Sequence, residues 1–154
     1  MTAPEVIYHG YRRKIGGSFI AIETPEGAQL GMVAHLPLHS PTGLSWGYYG
    51  SGAADCARSL LIAALGADAA CRSCKGTVKV VFDPDTGKEV PYEPGEAHTY
   101  DPELIFRCVC EDGYRIAPAL YQAFKFMFVS RWGEEWRMSR AGILAWLASQ
   151  PGGA

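Results

Sequence analysis

The stretch from Cys71-Arg-Ser-Cys74-Lys-Gly76 to Cys108-Val-Cys110 decides how the middle of this chain folds. Two cysteines separated by two residues can present both thiolates to one ion from a tight turn, and a following glycine eases the backbone past that ion. The second pair ends an alternating segment, 104–110, where a strand would place both sulfurs on one face with Cα atoms about 6.6 Å apart. Together the two pairs predict a structural Zn²⁺ site formed by Cys71, Cys74, Cys108 and Cys110.

Other arrangements of these thiols stay open. The four cysteines could be redox-active or disulfide-bonded, could remain unliganded, or could hold an iron–sulfur cluster, although the compact first pair favours zinc. His98 could replace one of them as a ligand. The fifth cysteine, Cys56, lies among alanine and leucine in a helical segment. We interpret it as a buried thiol with no ligand.

The composition is typical of one folded domain. The chain has 154 residues, 48% of them hydrophobic and 19% charged, which is enough for one apolar core. The net charge of −2 provides no overall basic field for nucleic acid. No run approaches the roughly 18 apolar residues that span a bilayer, and the first residues lack a secretory signal, so we expect a cytoplasmic protein. In that reducing compartment, thiols or metal ligands are favoured over disulfides.

Residue periodicity predicts an α+β fold: one domain, 1–154, with a small antiparallel sheet packed on about three helices. A zinc-ribbon-like β-hairpin lobe is inserted at 71–110. Strands are expected at 5–12 and 19–24, and Pro25-Glu26-Gly27 forms a turn into a third strand. The buried face of that third strand is expected to consist of Leu30, Met32, Ala34 and Leu36.

Three helical segments follow from apolar spacing and capping residues. Their predicted limits are 53–65 with Ser51 as N-cap and Gly66 as stop, 119–130 with Pro118 at the first position, and 140–149 with Ser139 as N-cap. Their predicted buried residues are Ala53, Ala57, Leu60, Leu61 and Ala64 in the first helix, Leu120, Phe124, Met127 and Phe128 in the second, and Ile143, Trp146 and Leu147 in the third.

The predicted lobe is acidic. Segments 77–82 and 88–92 flank Asp83-Pro-Asp-Thr-Gly87, which has the composition of a hairpin loop. Between 83 and 112, nine acidic residues stand against two basic ones: Asp83, Asp85, Glu89, Glu93, Glu96, Asp101, Glu103, Glu111 and Asp112 against Lys88 and Arg107. A negative potential of this kind speeds encounter with a basic protein surface and repels phosphate backbones.

A Gly-, Ser- and Tyr-rich segment, 39–52, precedes the first helix, where unpaired amides favour an anion. Its candidate binding residues, with one from the helix, are His39, Thr42, Trp46, Tyr48, Ser51 and Asp55. Because Gly50-Ser-Gly52 matches neither a Walker loop nor a dinucleotide motif, a structural loop is the alternative interpretation. No hydrolase, metalloprotease or kinase motif is present, so no catalytic residue is assigned.

The motifs His39-Ser-Pro-Thr-Gly43, Trp46-Gly-Tyr48 and Gly50-Ser-Gly52, followed by Asp55, resemble an uncharacterised domain family of unknown function encoded in bacterial and phage genomes. The resemblance extends to 120–125 and to 136–147 and skips the cysteine lobe. It implies a phage or mobile-element setting and an ordered Gly-rich loop. It assigns no catalytic residue.

Two functions follow from these observations. The first is a non-enzymatic, zinc-stabilised binding module that acts on a basic host protein or nucleoprotein as an inhibitor or adaptor. The second is a small enzyme, or a nucleotide- or anion-binding protein, that uses loop 39–52. Nucleic acid is a further candidate partner, because Arg131, Arg137 and Arg140 lie near Trp132 and Trp136, although Glu134 and Glu135 interrupt this basic cluster.

Overall fold

The computed structural model describes residues 4–13, 17–40, 43–93, 101–110 and 112–151. These residues form two antiparallel sheets and three α-helices, so the predicted α+β class is confirmed. The chain divides into two compact units, 1–65 with 116–154 and 66–115. The description of the cysteine lobe as an insertion in a single domain stays a prediction.

The elements follow one another in a mixed order. They are β1 (Ile7–Arg13), β2 (Gly17–Glu23), β3 (Gln29–Met32), α1 (Ser51–Leu65), β4 (Lys79–Asp83), β5 (Lys88–Pro91), β6 (Ile105–Arg107), α2 (Pro118–Met127), β7 (Glu135–Ser139) and α3 (Arg140–Ala148). None of the helices in the described part of the chain combines the length and apolarity needed to cross a bilayer.

The sheet of the first unit has the order β3-β2-β1-β7. The predicted hairpin between β2 and β3 is confirmed, with Gly27 at φ 95° in its turn. Strand β7 was not predicted, and it pairs with β1 so that Gly10 lies opposite Trp136. A Cβ on Gly10 would lie 2.1 Å from Trp136 Cε2, which explains a glycine in the middle of a strand.

The predicted buried face of β3 is wrong. Leu30 is 61% exposed and Met32 45% exposed, whereas Val33 is buried. The strand lies at the edge of the described sheet, ends at Met32, and has a register irregularity opposite Ile22 and Glu23. Side chains alternate between the two faces of a strand. Where the chain leaves the sheet after Met32, the buried residues are therefore those of the face opposite to the predicted one, such as Val33.

Helix α1 is the central element of the first unit. It is buried on all sides from Gly52 to Ile62, and its predicted apolar residues are all buried. The helix begins at Ser51, so Ser51 is its first residue and the N-cap prediction is wrong. The Gly50 carbonyl accepts the Ala54 N–H, which starts the helix two residues earlier than predicted. The predicted stop is confirmed, since Gly66 adopts φ 59° directly after the helix.

Helices α2 and α3 complete this core. Pro118 is the first residue of α2, and the Ser139 hydroxyl accepts the Gly142 N–H at the start of α3, both as predicted. Ile143, Trp146, Leu147 and Phe124 are buried as predicted, and Leu120 and Phe128 are partly buried. Met127 is 52% exposed, contrary to prediction, because α2 ends there and a 3₁₀ turn places Val129 inward instead.

The second unit contains a three-stranded sheet with the order β5-β4-β6. The predicted hairpin loop is confirmed, because Asp83 pairs with Lys88 at the end of β4 and β5. Val80 and Val81 on β4 are buried. Four residues with a role predicted from the sequence lie outside the described residues: Thr42, Glu96, His98 and Glu111.

Candidate metal centre

The first cysteine pair lies in a tight turn, as predicted. The Lys75 N–H donates to the Cys71 carbonyl at 2.8 Å, and the Thr77 N–H donates to the Cys74 carbonyl at 3.1 Å. Lys75 and Gly76 both have positive φ, 54° and 90°. This left-handed pair of residues turns the chain out of the cysteine loop and into β4.

The second cysteine pair is not on a strand. Strand β6 ends at Arg107, and Cys108 and Cys110 occupy the turn that follows, so the predicted strand geometry is wrong. Cys108 is tied by its N–H to the Val78 carbonyl at 2.8 Å, while the Cys110 carbonyl accepts the Asp112 N–H at 2.8 Å. These bonds curve the backbone so that both sulfurs face the first pair.

The two cysteine turns contact each other through glycines. The Cys71 N–H donates to the Gly113 carbonyl at 2.8 Å. A Cβ on Gly113 would lie 2.9 Å from the Gly76 carbonyl oxygen, and Gly113 adopts φ 87°. Backbone contacts therefore bring the two segments together, and no larger residue fits at Gly113 without a shift.

The four sulfurs form one cluster. Cys71 Sγ lies 3.8 Å from Cys108 Sγ, and Cys74 Sγ lies 3.5 Å from Cys110 Sγ. All four sulfurs lie within 4.8 Å of one another, and no disulfide joins them. Cys71, Cys74 and Cys108 are buried. The cluster can hold a metal ion.

Backbone amides and burial act in opposite directions on the pKa values of these thiols. Hydrogen bonds from the Cys74 and Ser73 amides outweigh burial and lower the pKa of the Cys71 thiol to about 7. Burial raises the pKa of Cys110 to about 12, partly opposed by the Gly113 N–H, which donates to Cys110 Sγ at 3.3 Å. Four thiolates this close repel one another unless a cation lies between them.

The spacing fits a single ion. A tetrahedral Zn²⁺ with Zn–S bonds of about 2.3 Å separates its sulfurs by about 3.8 Å, close to the two shortest distances in the cluster. The buried hydrophobic cluster of this unit consists of Cys71, Cys74, Val80 and Cys108. Three of the four core residues are thus candidate ligands, and the metal would occupy the centre of the core.

Among the candidate loop residues, Asp55 receives the most hydrogen bonds. Its fully buried carboxylate accepts the His39 and Ser40 amides, each at 2.9 Å, the Leu38 amide at 3.3 Å, and His35 Nε2 at 2.9 Å. Burial opposes ionisation, but these hydrogen bonds lower the pKa of Asp55 overall. The amides of 38–40 thus converge on a carboxylate of the chain itself. The hydrogen bond between His35 and Asp55 was not predicted, and no local sequence motif indicates it.

The other candidate loop residues are not gathered around Asp55. Trp46 is fully buried and donates from Nε1 to the Gly133 carbonyl, and His39 Nε2 lies 2.7 Å from the Tyr121 hydroxyl. Tyr48 is 46% exposed and its ring lies against Gly50. The contacts of Trp46 and His39 hold the loop against α2 and against the segment that precedes β7.

The tryptophans of the basic cluster contact each other. Trp132 and Trp136 stack with centroids 3.7 Å apart, and Trp136 is buried. Arg140 donates from Nε to the Ala64 carbonyl, and Arg137 lies 3.2 Å from Glu135.

Cys56 is fully buried, as predicted, and its burial strongly raises the pKa of its thiol.

Comparison with known protein families gives a match over part of the chain. Residues 8–81 match the model of a family of unknown function, DUF6166. The matched range contains the Gly-rich loop, α1 and the first cysteine pair, and it ends before the second pair and before 120–147. No curated protein and no solved structure matches the chain.

Proposed function

We propose that this protein is a non-enzymatic binding module whose 66–115 unit is stabilised by one structural Zn²⁺ bound to Cys71, Cys74, Cys108 and Cys110. The observation that carries the proposal is the convergence of four sulfurs to within 4.8 Å from two segments that are 33 residues apart. Thiolates are the soft ligands that zinc accepts in tetrahedral structural sites. The bridging irons of an iron–sulfur cluster hold the cysteine sulfurs farther apart than a single ion does, so the compact cluster favours one ion.

The site has a structural role in this proposal. Four protein ligands complete a tetrahedral shell and leave no position for a water that could attack a substrate. A unit with so few buried aliphatic residues depends on its metal in the way that other small metal-stabilised folds do.

The acidic surface supports a basic protein as the partner. Between positions 83 and 103, the described residues expose five carboxylates, Asp85, Glu89, Glu93, Asp101 and Glu103, against one lysine, Lys88. At the tip of the hairpin, the Asp85 amide and the Thr86 hydroxyl donate to Asp83 and lower its pKa, so this carboxylate remains charged. In a phage or mobile-element setting, a host nucleic-acid-binding protein that is inhibited or recruited through its basic surface fits this charge pattern.

Use of loop 39–52 as an anion site has less support. Two amides of this loop, those of His39 and Ser40, already bond to Asp55. A second anion there would be repelled by this buried carboxylate.

Elemental analysis of the purified full chain tests the metal. We expect one zinc per chain, released stoichiometrically by a thiol-blocking mercurial and detected with a metallochromic indicator. The native protein should show no accessible thiol, because four are ligands and Cys56 is buried. A metal-free protein whose four cluster thiols titrate freely in the native state would overturn the assignment.

Fluorescence anisotropy tests the partner class. The probes are a labelled lysine- and arginine-rich peptide and a labelled DNA duplex, each at low and high salt. We expect salt-sensitive binding of the peptide that is weakened when Asp85, Glu89 and Glu103 are changed to the corresponding amides, whereas Glu26→Gln, at an exposed turn of the first unit, leaves it unchanged. Equal peptide binding by the triple variant, or DNA binding lost in that variant, would contradict the proposal.

A further inference from the structure

The first unit contains a cavity that the metal proposal does not involve. Its volume is about 300 Å³, and it lies where β2 begins and β3 ends. The apolar lining includes Phe19, Ile20, Met32 and Leu44, and the polar lining includes Ser18 and His35. A largely apolar cavity of this size with one or two polar groups is typical of a site for a small organic molecule.

His35 connects this cavity to the buried carboxylate. Its Nε2 lies 2.9 Å from Asp55 Oδ2, and its side chain is 22% exposed while that of Asp55 is fully buried. A carboxylate only accepts hydrogen bonds, so Nε2 carries a proton in this pair, and in the neutral form of the ring Nδ1 is the acceptor. No hydrogen bond to His35 Nδ1 is found within the described residues.

Asp55 cannot turn away from His35 without losing other bonds. The amides of His39 and Ser40 hold its two oxygens on either side, each at 2.9 Å. The histidine tautomer is therefore set by a carboxylate that is itself fixed by the backbone. The bond to Asp55 therefore fixes the ring of His35, which is one of the residues that line the cavity.

The geometry points to a binding site for a small, uncharged, mainly apolar molecule with one hydrogen-bond donor, such as a phenol, whose donor bonds to His35 Nδ1. No lysine or arginine lines the described wall of the cavity, and the nearby Asp55 carboxylate disfavours an anion. The aromatic and aliphatic wall supplies the apolar contact. This inference is independent of the zinc site.

The test compares phenol with toluene, which has similar size and shape but no donor. The protein is labelled with ¹³C at its methionine methyls, because Met32 lines the cavity while Met127 lies exposed on α2 and reports non-specific binding. We expect phenol to shift the Met32 methyl signal and leave that of Met127 unchanged. Toluene should bind about tenfold more weakly, since one hydrogen bond is lost.

Two variants identify the contacts. In His35→Leu, phenol and toluene should bind equally, whereas His39→Leu, whose ring contacts Tyr121 instead, should keep the preference for phenol. Leu44→Trp fills the cavity and should abolish binding of both. If the wild-type protein binds phenol and toluene equally, or if neither shifts Met32, the inference is wrong, and this comparison needs no variant to fold.

Discussion

Loss of one ligand from the cysteine cluster should unfold the 66–115 unit and leave the other unit folded. We choose Cys74→Ser, because Cys74 is fully buried and its sulfur lies 3.5 Å from that of Cys110. A serine hydroxyl is a poor substitute for a thiolate toward zinc, so the closed shell would be opened. Cys56→Ala is the matched control, because it removes a buried cysteine outside the cluster.

The expected magnitude follows from what else holds this unit together. Two valines of this unit, Val80 and Val81, are buried, and the burial of each contributes about 1.5–3 kcal/mol. A structural zinc site contributes on the order of 10 kcal/mol. The metal therefore contributes more than the two buried valines together, and a variant that cannot hold zinc should lose most of the unit's stability.

Hydrogen exchange on the full chain, followed by mass spectrometry, measures this directly. In Cys74→Ser, amides bonded across the cluster, such as those of Cys71 and Cys108, should exchange much faster, while β1, β2 and α1 keep their protection. Cys56→Ala should retain one zinc and normal protection in 66–115. The reasoning is refuted if Cys74→Ser keeps its zinc and its protection, or if Cys56→Ala loses the metal.

Three further outcomes are expected. Gly10→Ala should destabilise the first unit by about 1–3 kcal/mol in urea unfolding, because its Cβ meets an indole ring, whereas Gly31→Ala on the same sheet has open space and should change little. The stability supplied by Asp55 should be complete above its ordinary pKa of 3.8 and be lost as pH falls through its lowered native pKa. Asp55→Asn should flatten this acid dependence in fluorescence-monitored unfolding. Gly113→Ala should weaken zinc binding in a chelator competition more than Gly87→Ala, although neither residue is a ligand.

Local chemistry predicted much of this fold. Both hairpin turns, the proline at the start of α2 and the serine cap of α3 depend on a few neighbouring residues, and each is confirmed. The four sulfurs were also predicted to meet, because cysteine spacing is a local signal for a shared ion.

Features that depend on distant partners were missed. Strand β7 is short and charged, and its pairing with β1 joins residues far apart in the sequence, so only the alternation of Trp136 and Met138 could have indicated it. The burial of Val33 rather than Leu30 depends on where an edge strand leaves its sheet. The pairing of His35 with Asp55 is set by the fold of the intervening loop, which no sequence motif describes.

The Gly113→Ala substitution tests whether backbone contacts or the metal ion itself brings the four cysteine sulfurs together. In each cysteine turn a glycine follows the first cysteine by five positions, Gly76 at φ 90° and Gly113 at φ 87°, and the two glycines contact each other. Alanine at Gly113 or at Gly87 incurs the cost of a left-handed backbone, but only at Gly113 does the added Cβ meet another residue, the Gly76 carbonyl at 2.9 Å. If the contact between the turns positions the sulfurs, Gly113→Ala must separate the two pairs and reduce zinc affinity beyond the effect of Gly87→Ala. Equal affinities in the two variants would mean that the ion alone draws the four cysteines together.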